Sequence, residues 1–173
     1  SSVERIRRIV NQLLDFAGKR NNSNLEMELL DVGKTIETVA SLNRKFFEKE
    51  GMRIDLNIPS ELPTYGNKDQ LEQVFMNLVL NAQAAMNRGG VLSIKGWINK
   101  GEIITQFTDS GCGIPPEQIN KIFDPFFSTK INGTGLGLFV SYGIIQNHNG
   151  IIEVESKLDS GTTFTIRLPS EQP

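Results

Sequence analysis

In the stretch QVFMNLVLNAQAAM, Asn77 and Asn81 are four residues apart within a helical pattern, so their amides share one face. Gln70, Gln73, Ala84 and Arg88 extend the same line by steps of three and four. Asn costs a helix interior up to about 0.7 kcal/mol against Ala, so two of them in an apolar helix need a reason. A solvated face would supply one, but such faces favour Lys and Glu, which this stretch lacks. A row of neutral amide oxygens suits a ligand or a hard cation such as Mg²⁺, which prefers oxygen donors and keeps part of its water.

Two glycine-bearing segments add to this. In TDSGCGI, Asp109 closes a strand, and Gly111 and Gly113 permit turns that other residues resist. A carboxylate held there can accept a hydrogen bond from an exocyclic amine such as that of adenine, although an Asp-Ser-Gly turn is also common without any ligand. In NGTGLGLF, Gly133, Gly135 and Gly137 run directly into a helix. Backbone N–H groups at a helix start, with the helix dipole behind them, favour a phosphate. The segment is not a Walker A loop, because no Gly-Lys-Ser/Thr follows, and its spacing is not the dinucleotide fingerprint. Lys130, three residues earlier, adds a cation; a flexible glycine loop without a ligand is the other reading. In FDPFF, Phe123, Phe126 and Phe127 form a cluster suited to pinning the irregular stretch, and in SGTTF, Thr162 offers a hydroxyl to a base pocket.

The elements that must position these groups follow from periodicity. The seam Val3, Ile6, Val10, Leu13, Ala17 has heptad spacing, with Ile9, Leu14 and Phe16 widening it, and predicts a helix over 1–20 that belongs to a bundle. Residues 21–31 read as a polar linker, with Asp31 capping a helix over 32–50. A strand follows at 52–58, a loop marked by Pro59 and Pro63, and a helix at 67–87. Strands at 91–99 and 102–109, an irregular stretch with a short helix after Pro116, a helix at 137–147 and strands at 150–156 and 162–168 complete the order. Turn-length links between strands imply an antiparallel or mixed sheet with helices on one face, an α+β two-layer sandwich.

The chain has 173 residues, a net charge of −2, one Cys and one His. That length suits one domain plus a short appendage. The single Cys112 and single His148 exclude a disulfide framework, a Cys-based zinc site and a His cluster. The charge argues against general nucleic-acid affinity. No apolar run reaches a membrane span and no signal peptide opens the sequence, so a soluble domain in a reducing compartment is expected.

In this order, NLVLNA, DSGCG, FDPFF, GTGLGL and GTTF resemble the N box, first glycine motif, F box, second glycine motif and last motif of sensor histidine kinases of two-component systems. The resemblance covers about residues 32–169, and VERIRRIVNQLLDFA resembles the second helix of that family's dimerisation bundle. It implies the Bergerat α/β sandwich with ATP and Mg²⁺ between helices and a lid. Asn81 would then hold Mg²⁺, with Asn77 and Lys130 assisting at the phosphates. Asp109 would bind the adenine amine, with Ala85, Gly111, Gly113 and Ile114 around the base. Thr134, Gly135, Leu136, Gly137 and Leu138 would bring backbone donors to the phosphates, and Thr162 would reach the base through water.

Gyrase, Hsp90 and MutL-type ATPases are similar but carry a water-activating Glu where this chain has Asn77. A neutral amide cannot serve as a general base, so phosphoryl transfer is favoured over hydrolysis. An ATPase clamp and a nucleotide-sensing pseudokinase are the alternatives. Two departures from the family pattern stand out. The stretch AQAAM lacks the Lys that often follows the Asn pair, and FSTKING is a short lid. The family's acceptor His lies on the first bundle helix; His148 instead reads as a helix-end residue, so the acceptor is expected from outside these residues. The implied partners are that acceptor helix, a response-regulator receiver domain and a second protomer of a homodimer. The implied location is cytoplasmic, with or without a membrane anchor elsewhere in the protein.

Overall fold

The computed structural model describes residues 26–171 apart from 88 and 131–132. The heptad seam, most of the expected linker and Arg88 lie outside the described residues. A five-stranded sheet runs in the order β2 (Met52–Asn57), β4 (Gly90–Asn99), β5 (Glu102–Asp109), β7 (Gly161–Pro169), β6 (Ile151–Lys157). The β2–β4 pair is parallel and the rest are antiparallel, which makes the sheet mixed, as expected. Helices α1 (Val32–Lys49), α2 (Lys68–Ala85) and α4 (Gly137–Asn147) pack on it, and α3 (Pro116–Ile119) is the short helix expected after Pro116.

One difference from the sequence reading concerns a second, two-stranded sheet, in which β1 (Glu28–Asp31) pairs antiparallel with β3 (Pro63–Gly66). These residues were expected in the linker and the proline loop. Each strand is only four residues long and has no clean alternation, so neither carries a periodic signal. A single side chain holds the junction. Asp31 Oδ1 accepts from Gly33 N–H at 2.9 Å as the cap of α1, and from Leu62 N–H at 3.1 Å across the chain.

The inner face of the main sheet changes character along its length. One row of register partners, Ile94, Phe107, Phe164 and Val154, meets the helices, and Phe107 stacks on Phe75 of α2 at 5.7 Å. Two residues further along the strands on the same face, the row reads Leu92, Asp109, Thr162 and Ser156. The alternation that builds the core therefore delivers a carboxylate and two hydroxyls to the inner face at one end of the sheet.

The lone histidine joins two helix ends. Buried at the C-terminal end of α4, His148 has Nδ1 at 2.7 Å from the Ile144 carbonyl, while its Nε2 accepts the Asn67 N–H at 3.0 Å. A carbonyl can only accept, so the proton sits on Nδ1 and the ring is neutral. Asn67 in turn caps α2 through Oδ1 to Gln70 N–H at 3.0 Å. His148 is thus a structural helix-end residue. Burial lowers its pKa from 6.5, against the opposing pull of the Ile144 carbonyl. Its stabilising bond is therefore complete above the unfolded value of 6.5 and is lost as pH falls below it. Thermal unfolding followed from about pH 8 to about pH 5 should show a falling melting temperature below that value. His148→Gln should flatten the dependence, and identical wild-type and variant profiles would contradict the role.

Candidate functional site

Helix α2 forms the floor of the site. Leu71, Val74, Phe75, Leu78, Val79 and Ala82 are buried, while Gln73, Asn77 and Asn81 lie half-buried on another side. Gln70, from the same expected line, is buried instead, and Ala84 is exposed. Asn77 meets α4: its Nδ2 donates to the Gly137 carbonyl and to Ser141 Oγ, each at 3.1 Å. One turn on, Asn81 Oδ1 accepts from the Lys130 ammonium at 2.9 Å.

The other end of α2 meets the loop after β5. Cys112 N–H donates to the Ala85 carbonyl at 3.1 Å, and a Cβ on Gly111 would stand 2.7 Å from that of Ala85. Only glycine allows this approach. Gly113 has φ +73°, and a side chain there would collide with the Lys157 carbonyl. From Asn77 to Ala85 the helix rises about 12 Å at 1.5 Å per residue. A ligand along it would have the glycine loop at one end and Asp109 at the other.

Asp109 is 6% exposed, and its Oδ1 accepts the N–H groups of Gly111 at 2.8 Å and Thr162 at 3.3 Å. Desolvation raises its pKa despite those bonds and the nearby charge of Lys130. Oδ2 takes neither bond, so it is the oxygen left for a ligand's donor. Ser156, which the sequence reading missed, organises this end. Its Oγ receives the Ile114 N–H at 2.8 Å, lies 3.0 Å from the Gly161 carbonyl, and lies 2.8 Å from Thr162 Oγ1. A serine has one proton. With that proton on the Gly161 carbonyl, the Thr162 hydroxyl donates to Ser156 and keeps its own oxygen free to accept. No motif marks Ser156; only its register opposite Thr162 does.

The glycine segment closes against the F box. Phe126 N–H donates to the Gly135 carbonyl at 2.9 Å, Gly135 has φ +69°, and a Cβ there would press on the Phe126 backbone. Thr134 Oγ1 accepts from Leu136 N–H at 3.4 Å, Leu136 is buried, and Leu138 packs on the core. Phe123 packs on Tyr142 at 5.7 Å and edge-on to Phe164 at 6.5 Å, and Phe127 is half-buried against the core, so these two pin the irregular stretch, whereas Phe126 of the expected cluster is 60% exposed. Lys130 is solvent-accessible at its surface, yet the protein around it lowers its pKa, opposed by the charges of Asp109 and Cys112. Among the described residues, no group of three or more His, Cys, Asp or Glu side chains forms a metal cluster.

A line of amides, glycine turns and one buried carboxylate on an α+β sandwich defines a class. Residues 66–172 match the model for the histidine kinase-, DNA gyrase B-, and HSP90-like ATPase family, and the chain belongs to that family. Within it, this is a domain of the histidine kinase catalytic type. Over 180 residues it is 36% identical to sporulation kinase A of Bacillus subtilis, covering 99% of this chain and 28% of that relative. The nucleotide-free catalytic domain of the histidine kinase ThkA superposes with a TM-score of 0.77 at 31% identity, covering 84% of this chain and 96% of that one. ThkA in complex with the response regulator protein TrrA gives a TM-score of 0.82 at 26% identity, covering 98% of this chain and 48% of that one.

The raised pKa of Asp109 carries a prediction. Its folded value lies above the unfolded 3.8, so the ionised carboxylate costs stability above that range and costs none below 3.8. Asp109→Asn keeps an oxygen for both N–H groups and removes the charge. Without ligand, the variant should melt at or above the wild-type temperature at neutral pH, with the advantage shrinking toward pH 3.8. It should also lose most of any nucleotide-induced rise in melting temperature. Calorimetry with and without ATP reads both, and a variant that binds ATP as the wild type does would remove Asp109 from the site.

Proposed function

We propose that this chain binds Mg-ATP and presents the γ-phosphate to a histidine on a bundle helix, as the catalytic part of a two-component sensor kinase. The observation that carries the proposal is the pair of contacts along the second half of α2. Asn77 meets the glycine-led start of α4, and Ala85 meets the loop of the buried Asp109. Asp109 Oδ2 would accept from the adenine amine, with Ala85, Gly111, Gly113, Ile114 and Thr162 around the base. Backbone donors of Thr134 to Leu138 would face the phosphates at the positive end of α4.

The Mg²⁺ assignment at Asn81 has a physical basis in the same geometry. Its Oδ1 already accepts from a cation, the Lys130 ammonium, so this oxygen is oriented toward positive charge. Mg²⁺ bound there would neutralise phosphate charge during transfer. Lys130, displaced from Asn81, would then be available to the phosphates, taking the place of the Lys absent from AQAAM. Asn77 leaves no acid in position to activate water, so the phosphate would pass to another protein group. Catalysis would rest on positioning and charge neutralisation.

The chain spans 28% of sporulation kinase A, so the partners belong to this proposal as well. They are an acceptor-bearing bundle helix, a homodimer partner, and the receiver domain of a response regulator, a reading supported by the complex of ThkA with the response regulator protein TrrA. Among the described residues, no helix is long and apolar enough to cross a membrane. A cytoplasmic position is the one that supplies ATP.

Incubating the chain with Mg-ATP should raise its melting temperature, since a ligand at 100 times its dissociation constant stabilises the folded state by about 2.7 kcal/mol. Asn81→Ala should remove the Mg²⁺ dependence of that shift. With radiolabelled ATP and a bundle fragment carrying its histidine, acid-labile label should appear on the fragment. Rapid steady-state hydrolysis would favour an ATPase clamp instead, and tight binding without transfer would favour a nucleotide sensor.

A further inference from the structure

We infer that Ser141 is a positioning residue, which with the Gly137 carbonyl locks the Asn77 amide so that its oxygen, not its nitrogen, faces the metal side of the cleft. The inference rests on the Mg-nucleotide reading above and extends it to a residue in none of the five motifs. The amide's orientation follows from hydrogen-bond chemistry. The Gly137 carbonyl lies 3.1 Å from the Asn77 side-chain nitrogen, and a carbonyl can only accept, so the NH₂ group must face α4. Ser141 Oγ, fully buried, stands 3.1 Å from the same nitrogen and takes the second proton. Both donors of the amide are then used on α4, and Oδ1 takes neither bond.

The start of α4 lies close against the amide: a Cβ built on Gly137 would sit 3.6–3.8 Å from the Asn77 amide atoms, in ordinary contact. With one bond gone, the amide would hang from Gly137 alone and could turn its NH₂ toward a cation, where it repels. The same surroundings disfavour an acid at position 77, because a carboxylate would set its lone pairs against those of the Gly137 carbonyl. Helix α4 therefore helps to decide that this family member carries an amide where related ATPases carry a base.

The test compares nucleotide affinity with Mg²⁺ and with EDTA, by calorimetric titration of ATP into the full chain. The readout is the ratio of the two affinities, which a general loosening of the fold leaves unmoved. Ser141→Ala should lower that ratio about five- to tenfold, the scale of one net hydrogen bond, and Ser141→Thr, which keeps the hydroxyl, should restore it. Ligand-free melting temperatures establish that both variants are folded. An unchanged ratio in a folded Ser141→Ala overturns the assignment, whether both affinities hold or fall together. If the wild-type chain binds no nucleotide, the underlying reading falls and this inference with it.

Discussion

Helix α2 must be apolar enough to seat on the sheet and polar enough to line a ligand cleft, and the rest of the domain is arranged around that double demand. Its buried side, with Phe75 stacked on Phe107, fixes the helix against the sheet centre. The adjoining, half-buried side carries the amides. Because 3.6 residues make a turn, Asn77 and Asn81 stay on the cleft side only if the register of Leu71, Val74, Leu78 and Ala82 on the sheet is held. Both ends of the helix are tied for that purpose. At the start, Asn67 caps it and is itself held by His148; at the end, the Ala85 carbonyl receives Cys112 N–H. A shift of one residue would rotate the amides by about 100° and empty the site.

The groups left in unfavourable surroundings are the ones assigned to the ligand. Asp109 is buried as a carboxylate whose pKa is raised, and Lys130 is an ammonium whose pKa is lowered, each chiefly by desolvation. Their charges partly compensate each other, and Lys130 rests on Asn81. On the proposed reading, a nucleotide with a divalent cation would bring a donor for the carboxylate, an anion for the ammonium and a stronger cation for the amide oxygen.

Much of this was legible in the sequence because it is carried by local patterns. Asn77 and Asn81 at helical spacing, Asp109 before Gly111, and the glycines ahead of α4 each announce themselves within a few residues. The Asp31 cap and the run of long strands were legible for the same reason. What was not legible depends on distant pairing. The β1–β3 ribbon has four-residue strands too short for a period, and it forms because Asp31 reaches Leu62. Ser156 matters only because β6 lies beside β7 in a register that sets it opposite Thr162. Ser141 looks like one more helix residue until α4 is laid on α2.

The residue at position 77 shows why such distant contacts decide chemistry that a motif only suggests. Within this family, an acid at that point makes water the acceptor of the phosphate. Here the position faces a backbone carbonyl on α4, which can only accept, beside a buried hydroxyl that can accept as well, and asparagine supplies a donor to each while a carboxylate has none for the carbonyl. Changing that one residue to an acid would therefore leave the Gly137 carbonyl without the donor it now has at 3.1 Å. On the proposed reading, a preference for an acceptor other than water would rest on the packing of two helices as well as on the residue at position 77.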